Sequence, residues 1–192
     1  MRKKNNLKVI VTLLIVTVLC ICGVISFFSI NSKYPQNEKV VYKMGDSFVC
    51  QNAKFTITDT YMLKRMDIMN DDDLSEYLEE NSDYLKSEDL NLGLIKIIIS
   101  NTTDDEITVD LTAFHIESGA FSLQFYYPLV MYYNDCGMYI KLSKGEQKTF
   151  IAPVPISSEQ FLNYDSTDIR NRTYYLVSSL YPQKIMSEVK FN

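Results

Sequence analysis

The chain has 192 residues, 46% of them hydrophobic and 22% charged, and a formal net charge of −5. Beyond any targeting segment, that is one ordinary domain's worth of chain, with enough residues for a proper core. The acidic balance argues against nucleic acid and against direct docking on anionic lipid, and the single histidine, His115, excludes a histidine-based triad or a two-histidine zinc site within one chain.

Residues 1–8 form a basic flank carrying Arg2, Lys3, Lys4 and Lys8. Residues 9–30 are uncharged, and as a helix they span about 33 Å, against roughly 30 Å for a bilayer core. The run reads as a transmembrane anchor. A cleavable signal peptide has an apolar core of only about 7–15 residues, and this run ends in the bulky Ser26-Phe27-Phe28-Ser29-Ile30, with cleavage near Val24-Ile25-Ser26 as the alternative. Lipoprotein processing needs a small residue before the acylated cysteine, whereas Cys20 follows Leu19 and Cys22 follows Ile21. Basic residues before the run and only Lys33 close behind it put the N-terminus in the cytoplasm and the rest outside.

Residues 31–39 (NSKYPQNEK) read as a short stalk, and residues 40–192 as the ectodomain. From Lys54 to Leu63, Phe55, Ile57, Tyr61 and Leu63 alternate with Thr56, Thr58 and Thr60, with Asp59 the one break in the inward set. Period 2 with β-branched and aromatic residues predicts a strand. Residues 71–89 hold nine acidic residues and Lys86, a net −8. Asp72 or Asp73 caps a helix there with Leu74, Tyr77 and Leu78 on one stripe. This is an acidic helical insertion between two strands, separable from the rest. Its acids are contiguous, with no glycine among them, unlike the alternating ligands of a calcium loop.

Leu92 to Ser100 (LGLIKIIIS) is apolar on both faces, as in a central strand, and Asn101 to Glu106 is a polar turn. Further strands are predicted at 107–112, 123–125, 138–142, 148–154, 174–181 and 185–191, and a short helix at Ser157–Leu162 from the capping-box spacing of Ser157 and Gln160. Seven or eight short strands predict a β-sandwich of immunoglobulin type, mostly β apart from the insertion and the anchor. Cys50 and Cys136 lie in a compartment that permits a disulfide, and their spacing leaves its formation open. Asn101-Thr102-Thr103 and Asn171-Arg172-Thr173 match glycosylation acceptors. No CxxC pair, glycine-rich phosphate loop or serine elbow is present in the sequence.

Several segments resemble a family of uncharacterised, membrane-anchored, immunoglobulin-like ectodomains of low-GC Gram-positive bacteria. They are Ile95-Lys96-Ile97-Ile98-Ile99-Ser100-Asn101-Thr102, Leu111-Thr112-Ala113-Phe114-His115-Ile116, Leu142-Ser143-Lys144-Gly145-Glu146-Gln147-Lys148, Glu159-Gln160-Phe161, Tyr174-Tyr175-Leu176-Val177 and Ser179-Leu180-Tyr181-Pro182. The resemblance covers about half the chain. It implies a sandwich with a signal or anchor and transfers no site residue, catalytic group or cofactor.

The densest anomaly is Phe121 to Tyr139, with Phe121, Phe125, Tyr126, Tyr127, Tyr132 and Tyr133. On a strand, adjacent pairs such as Tyr126-Tyr127 and Tyr132-Tyr133 present one ring outward each, and exposed aromatics mark protein contacts. The competing reading is that these rings cover the end of the sandwich or pack on the acidic helix. The sequence therefore reads as a membrane-anchored, extracytoplasmic binding or accessory module for a protein or peptide, with no cofactor and no metal. The alternatives are a cell-envelope hydrolase using carboxylates and a purely structural spacer.

Overall fold

A computed structural model describes residues 2–33, 38–81, 89–161 and 169–191. Of the expected elements, residues 34–37 of the stalk, 82–88 of the acidic insertion and Leu162 at the end of the expected short helix lie outside the described residues. The chain divides into two units, residues 1–37 and 38–192. The described residues of the first form one helix, α1 (Arg2–Lys33). Within it, Thr12–Lys33 has a mean hydropathy of 2.8 and no buried residue, so it is long and apolar enough to cross a membrane.

The second unit is a β-sandwich with eleven strands among the described residues, three or four more than periodicity alone predicts. One sheet has the order β1 (Lys39–Tyr42), β11 (Lys184–Val189), β10 (Tyr174–Ser179), β6 (His115–Ser118), β7 (Phe121–Gln124). The other is β2 (Ser47–Cys50), β3 (Ala53–Lys64), β4 (Asn91–Asn101), β9 (Gln147–Ile156), and β5 (Ile107–Asp110) pairs with β8 (Tyr139–Leu142) alongside. Every pairing among these strands is antiparallel except β1 with β11. The strands missing from the sequence reading are short: β1, β2 and β6 have four residues each, too few for a clear period.

The main core lies between the two large sheets. Phe55, Ile57, Ile95, Ile97, Ile99 and Phe150 from one meet Ile116, Tyr174, Leu176 and Val189 from the other. Burying each such side chain stabilises the fold by about 1.5–3 kcal/mol. At Gly93 a side chain would displace the Phe191 ring, because a Cβ there would stand 2.6 Å from it.

β3 departs from simple alternation. Ile57 pairs with Ile97 and Asp59 with Lys96, so Thr58 is an extra residue, a β-bulge. The bulge reverses the facing of everything after it. Thr60 and Met62 turn inward, while Tyr61 is 38% exposed and Leu63 packs on the opposite face. The expectation that Tyr61 and Leu63 face the main core is therefore corrected. The break at Asp59 is the trace of this inserted residue.

That opposite face carries a second core. Leu92 and Leu94 of β4, buried on the side away from Ile95 and Ile97, pack with Ile68, Leu74, Leu78, Leu90 and Leu129. Ile68 comes from α2 (Arg65–Met69), started by Asp67, which accepts the Lys64 backbone N–H at 2.9 Å. Leu74 and Leu78 come from α3 (Asp72–Asn81). Its cap is Asp71, one residue earlier than expected: the Asp71 carboxylate accepts the Leu74 N–H at 3.1 Å. The acidic insertion is thus no separable appendage, because its apolar stripe roofs the outer face of the four-stranded sheet.

Two hydrogen bonds give the sandwich a direction. The Cys50 thiol, just before β3, donates to the Ser178 carbonyl at 3.5 Å, and Thr60, well along β3, donates to the Lys190 carbonyl at 2.5 Å. β3 then runs on to Lys64 and the acidic helix. Glu38, where the unit begins, accepts the Lys184 N–H at 2.8 Å, so the entry point and the acidic helix occupy opposite ends.

Candidate partner-binding surface

The aromatic segment folds differently from its expected strand. After β7, residues Tyr127–Tyr133 form α4, a two-turn helix with Pro128 in its first turn. Proline is favoured there because its fixed φ suits a helix start and its missing N–H has no intrahelical partner anyway. Asn134 ends the helix, and its side chain docks on the edge strand. Its amide donates to the Ile151 carbonyl at 2.9 Å and its oxygen accepts the Ile151 N–H at 2.8 Å. The Tyr126 N–H donates to the Pro153 carbonyl at 3.2 Å. Side chain and backbone together stand in for a neighbouring strand along this part of β9.

A helix distributes rings by a 3.6-residue period, so the strand argument for one outward ring per pair does not apply. Phe125 is buried in the main core at 5% exposure, and Phe121 is half-buried with its ring 4.5 Å from that of Phe161, which also carries the Arg172 guanidinium at 4.3 Å. Tyr126, Tyr132 and Tyr133 pack against the second core. Of the six expected contact residues only Tyr127 is exposed, at 56%.

The half-buried rings tie α4 to the acidic helix. The Tyr77 hydroxyl donates to the Pro128 carbonyl at 2.8 Å. The rings of Tyr77 and Tyr132 lie 5.0 Å apart, and Tyr132 meets Tyr133 edge-on at 5.0 Å. Burial pushes both the Tyr132 and Tyr133 phenols up, helped by the Asp71 carboxylate, so both stay protonated across the physiological range. Packing on the acidic helix, the competing reading of these rings, describes Tyr132 and Tyr133.

What faces solvent is a different set. Tyr127 and Met131, one turn apart on α4, are 56% and 45% exposed. Both lie within 4 Å of where a Cβ on Gly137 would stand, so the three residues form one patch. Tyr139, at the start of β8, is 63% exposed. Beside them is a cleft of about 540 Å³ lined by Tyr133, Asn134, Asp135, Cys136, Gln147, Lys148, Thr149 and Ile151. One wall is β9, an edge strand whose other side pairs with β4. Met131 and Tyr139 belong to the segment singled out by composition, and a helical register for 127–133, signalled by Pro128, identifies Met131 as the neighbour of Tyr127.

Neither cysteine of the sandwich is set up as a nucleophile. Cys50 and Cys136 are unbridged, and burial raises both thiols. His115 is held on both ring nitrogens, Nδ1 at 3.1 Å from the Ala113 carbonyl and Nε2 at 3.0 Å from Glu117. Glu117 also accepts from Lys184 at 2.5 Å. Burial raises the Glu117 carboxyl, but the hydrogen bonds from Lys184 and His115 outweigh it and hold it below the usual carboxylate range.

A β-sandwich behind an N-terminal apolar helix, its outer face roofed by short helices, defines the class. The chain belongs to the family described as domain of unknown function DUF5028, matched over residues 31–185. Among solved structures it is similar to the ycdA protein of Bacillus subtilis, described as a candidate lipoprotein, at 13% identity and a TM-score of 0.49. The match covers 75% of this chain and 38% of that one, so the chain spans well under half the length of that relative. The yjhA protein of Bacillus subtilis matches at 13% identity and a TM-score of 0.42, covering 79% of this chain and 99% of that one. An uncharacterised β-sandwich protein from Clostridium difficile matches at 12% identity and 0.41, covering 81% and 98%. No curated protein matches the chain. The assignment as a sandwich rests on the strand pairing described above.

Proposed function

We propose that this protein is a membrane-anchored, extracytoplasmic, non-catalytic binding module whose partner is a protein or peptide at the cell surface. The observation that carries the reading is the patch of Tyr127 and Met131 on α4, exposed beside the β9 cleft. Aromatic rings and methionine are the residue types enriched in contact cores, and a tyrosine loses little side-chain entropy on binding. Both residues sit on a helix held by Asn134 and Tyr77, so the surface is rigid before a partner arrives. The basic residues Arg2, Lys3, Lys4 and Lys8 at the start of α1, ahead of its apolar stretch, orient the anchor with its N-terminus in the cytoplasm.

The test is capture from the native membrane with the full chain against Tyr127→Ala and Met131→Ala. Because both side chains are exposed, their removal leaves the fold intact. Tyr127→Ala weakens capture of a specific partner by roughly tenfold, about 1.4 kcal/mol. Folded variants that hold every partner as well as the parent does would refute the assignment of this patch.

A further inference from the structure

The turn between β10 and β11 joins two neighbouring strands, and the Ser179 hydroxyl donates to its Tyr181 carbonyl at 3.1 Å, while its side chains stand out in solvent. Leu180 is 53% exposed and Tyr181 80%, and Pro182 follows them. None of the three carries a charge. Their place is set by Glu38: the Gln183 side chain donates to the Glu38 carboxylate at 2.9 Å, and the Lys184 N–H to the Glu38 carbonyl at 2.8 Å. The turn therefore flanks the residue at which the chain from α1 enters the sandwich.

Chain length then limits how far this end can stand from a bilayer. Helix α1 ends at Lys33, and its apolar stretch is 22 residues long. At 1.5 Å per residue the 22 uncharged residues 9–30 span about 33 Å, against a hydrocarbon core of roughly 30 Å, so Ile30 marks the boundary of the core. The helix from Ile30 to Lys33 adds about 4.5 Å, and from Lys33 to Glu38 the chain reaches about 18 Å at full extension. The headgroup layer occupies about 6 Å of that. Leucine is apolar, and tyrosine joins an apolar ring to a hydroxyl that stays wet, the combination found where a membrane meets water. The acidic helix lies at the opposite end, whereas the exposed Asp104, Asp105 and Glu106 after β4 lie at this one, Asp104 paired with Lys144 at 2.7 Å, so the contact is expected on uncharged lipid.

We infer that the Leu180–Tyr181 turn seats in the interfacial layer of the membrane that holds α1. The inference rests on the anchor reading. It makes the turn a foot that, with the tether, fixes which end of the sandwich faces outward.

The chain contains no tryptophan, so Tyr181→Trp supplies a single indole reporter. The full chain would be reconstituted in phosphatidylcholine vesicles with and without brominated acyl chains. Met66→Trp, at an exposed position in α2 near the acidic end, serves as the control. A blue-shifted emission from the Tyr181→Trp chain, quenched about twofold by brominated lipid while the control is unaffected, supports the inference. Emission matching the control, unshifted and unquenched, overturns it. Leu180→Trp gives the same reading should Tyr181→Trp fold poorly. Release of the chain from vesicles by alkaline carbonate would remove the anchor reading itself, and the turn's seat with it.

Discussion

Asn101 shows how much one side chain can hold. It is 3% exposed, and its amide nitrogen lies within hydrogen-bond distance of the carbonyls of Asp105, Leu142 and Ser143, at 2.7, 3.1 and 3.0 Å. Its oxygen accepts the Thr103 N–H at 2.8 Å. It thereby ties the end of β4 to the turn that follows and to the end of β8. The acceptor motif at Asn101 is thus occupied in the folded protein, and no sugar fits there. Asn101→Asp swaps the donating amide for a carboxylate facing carbonyl oxygens, and we expect a loss of about 2–4 kcal/mol in denaturant unfolding. Asn101→Ala should cost less than the aspartate. Glu117 supplies a pH-dependent counterpart. Its carboxyl is held below the ordinary value of 4.5, so it contributes stability above that value, which is lost as pH falls through the depressed one. Glu117→Gln should cost about 1–2 kcal/mol near neutrality. Its disadvantage should shrink in thermal melts taken well below the ordinary carboxylate range, and a constant difference would refute the linkage.

At the scale of elements, the acidic helix is the clearest case of structure differing from pattern. Its existence and its stripe of Leu74, Tyr77 and Leu78 were legible, because three apolar residues at helical spacing stand out among carboxylates. What the stripe meets was not legible. Leu92 and Leu94 belong to a run that is apolar on both faces, and such a run announces burial without naming what covers each side. Leu74→Ala and Leu78→Ala should each cost about 2–4 kcal/mol, and the unfolding should remain a single transition. A change under about 0.5 kcal/mol, or early melting of α3 alone, would restore the helix as an appendage. Other elements were hidden for local reasons. Helix α4 is seven residues of mostly aromatic and apolar type, too short to separate a helical period from a strand's. The bulge at Thr58 moves one residue and thereby reverses Tyr61 and Leu63 together, which no period count can anticipate. The short helix expected at Ser157 is a single 3₁₀ turn, Ser158–Gln160. Its capping signal was sound, since the Gln160 side chain accepts the Ser157 N–H at 3.1 Å.

At the scale of the whole molecule, the sandwich has a near end and a far end. Glu38 and the Leu180–Tyr181 turn stand at one; α2 and α3 stand at the other, about 40 Å away along β3 at the usual rise per strand residue. The candidate surface followed the same division between legible and hidden. Composition placed it within Phe121–Tyr139, but which rings are free depended on α4 and its contact with α3, a pairing of segments far apart in the chain. The topology proposed for the anchor leads to a direct expectation. Protease added to intact spheroplasts should digest residues beyond the helix and leave a small N-terminal fragment in the membrane fraction. Protection of the sandwich would reverse the orientation.

The parallel pairing of β1 with β11 bears on how the protein comes into being. β1 is the first of these strands to follow α1, and β11 is the last of them. A chain is made from its N-terminus, so β1 emerges with its partner still unmade. Its register, Lys39 with Lys184 through Tyr42 with Ser187, can be satisfied only when β11 arrives. Until then the nascent domain carries an open edge, and a truncation before β11 leaves that edge open for good. The first strand to be made is thus the one whose place is completed last.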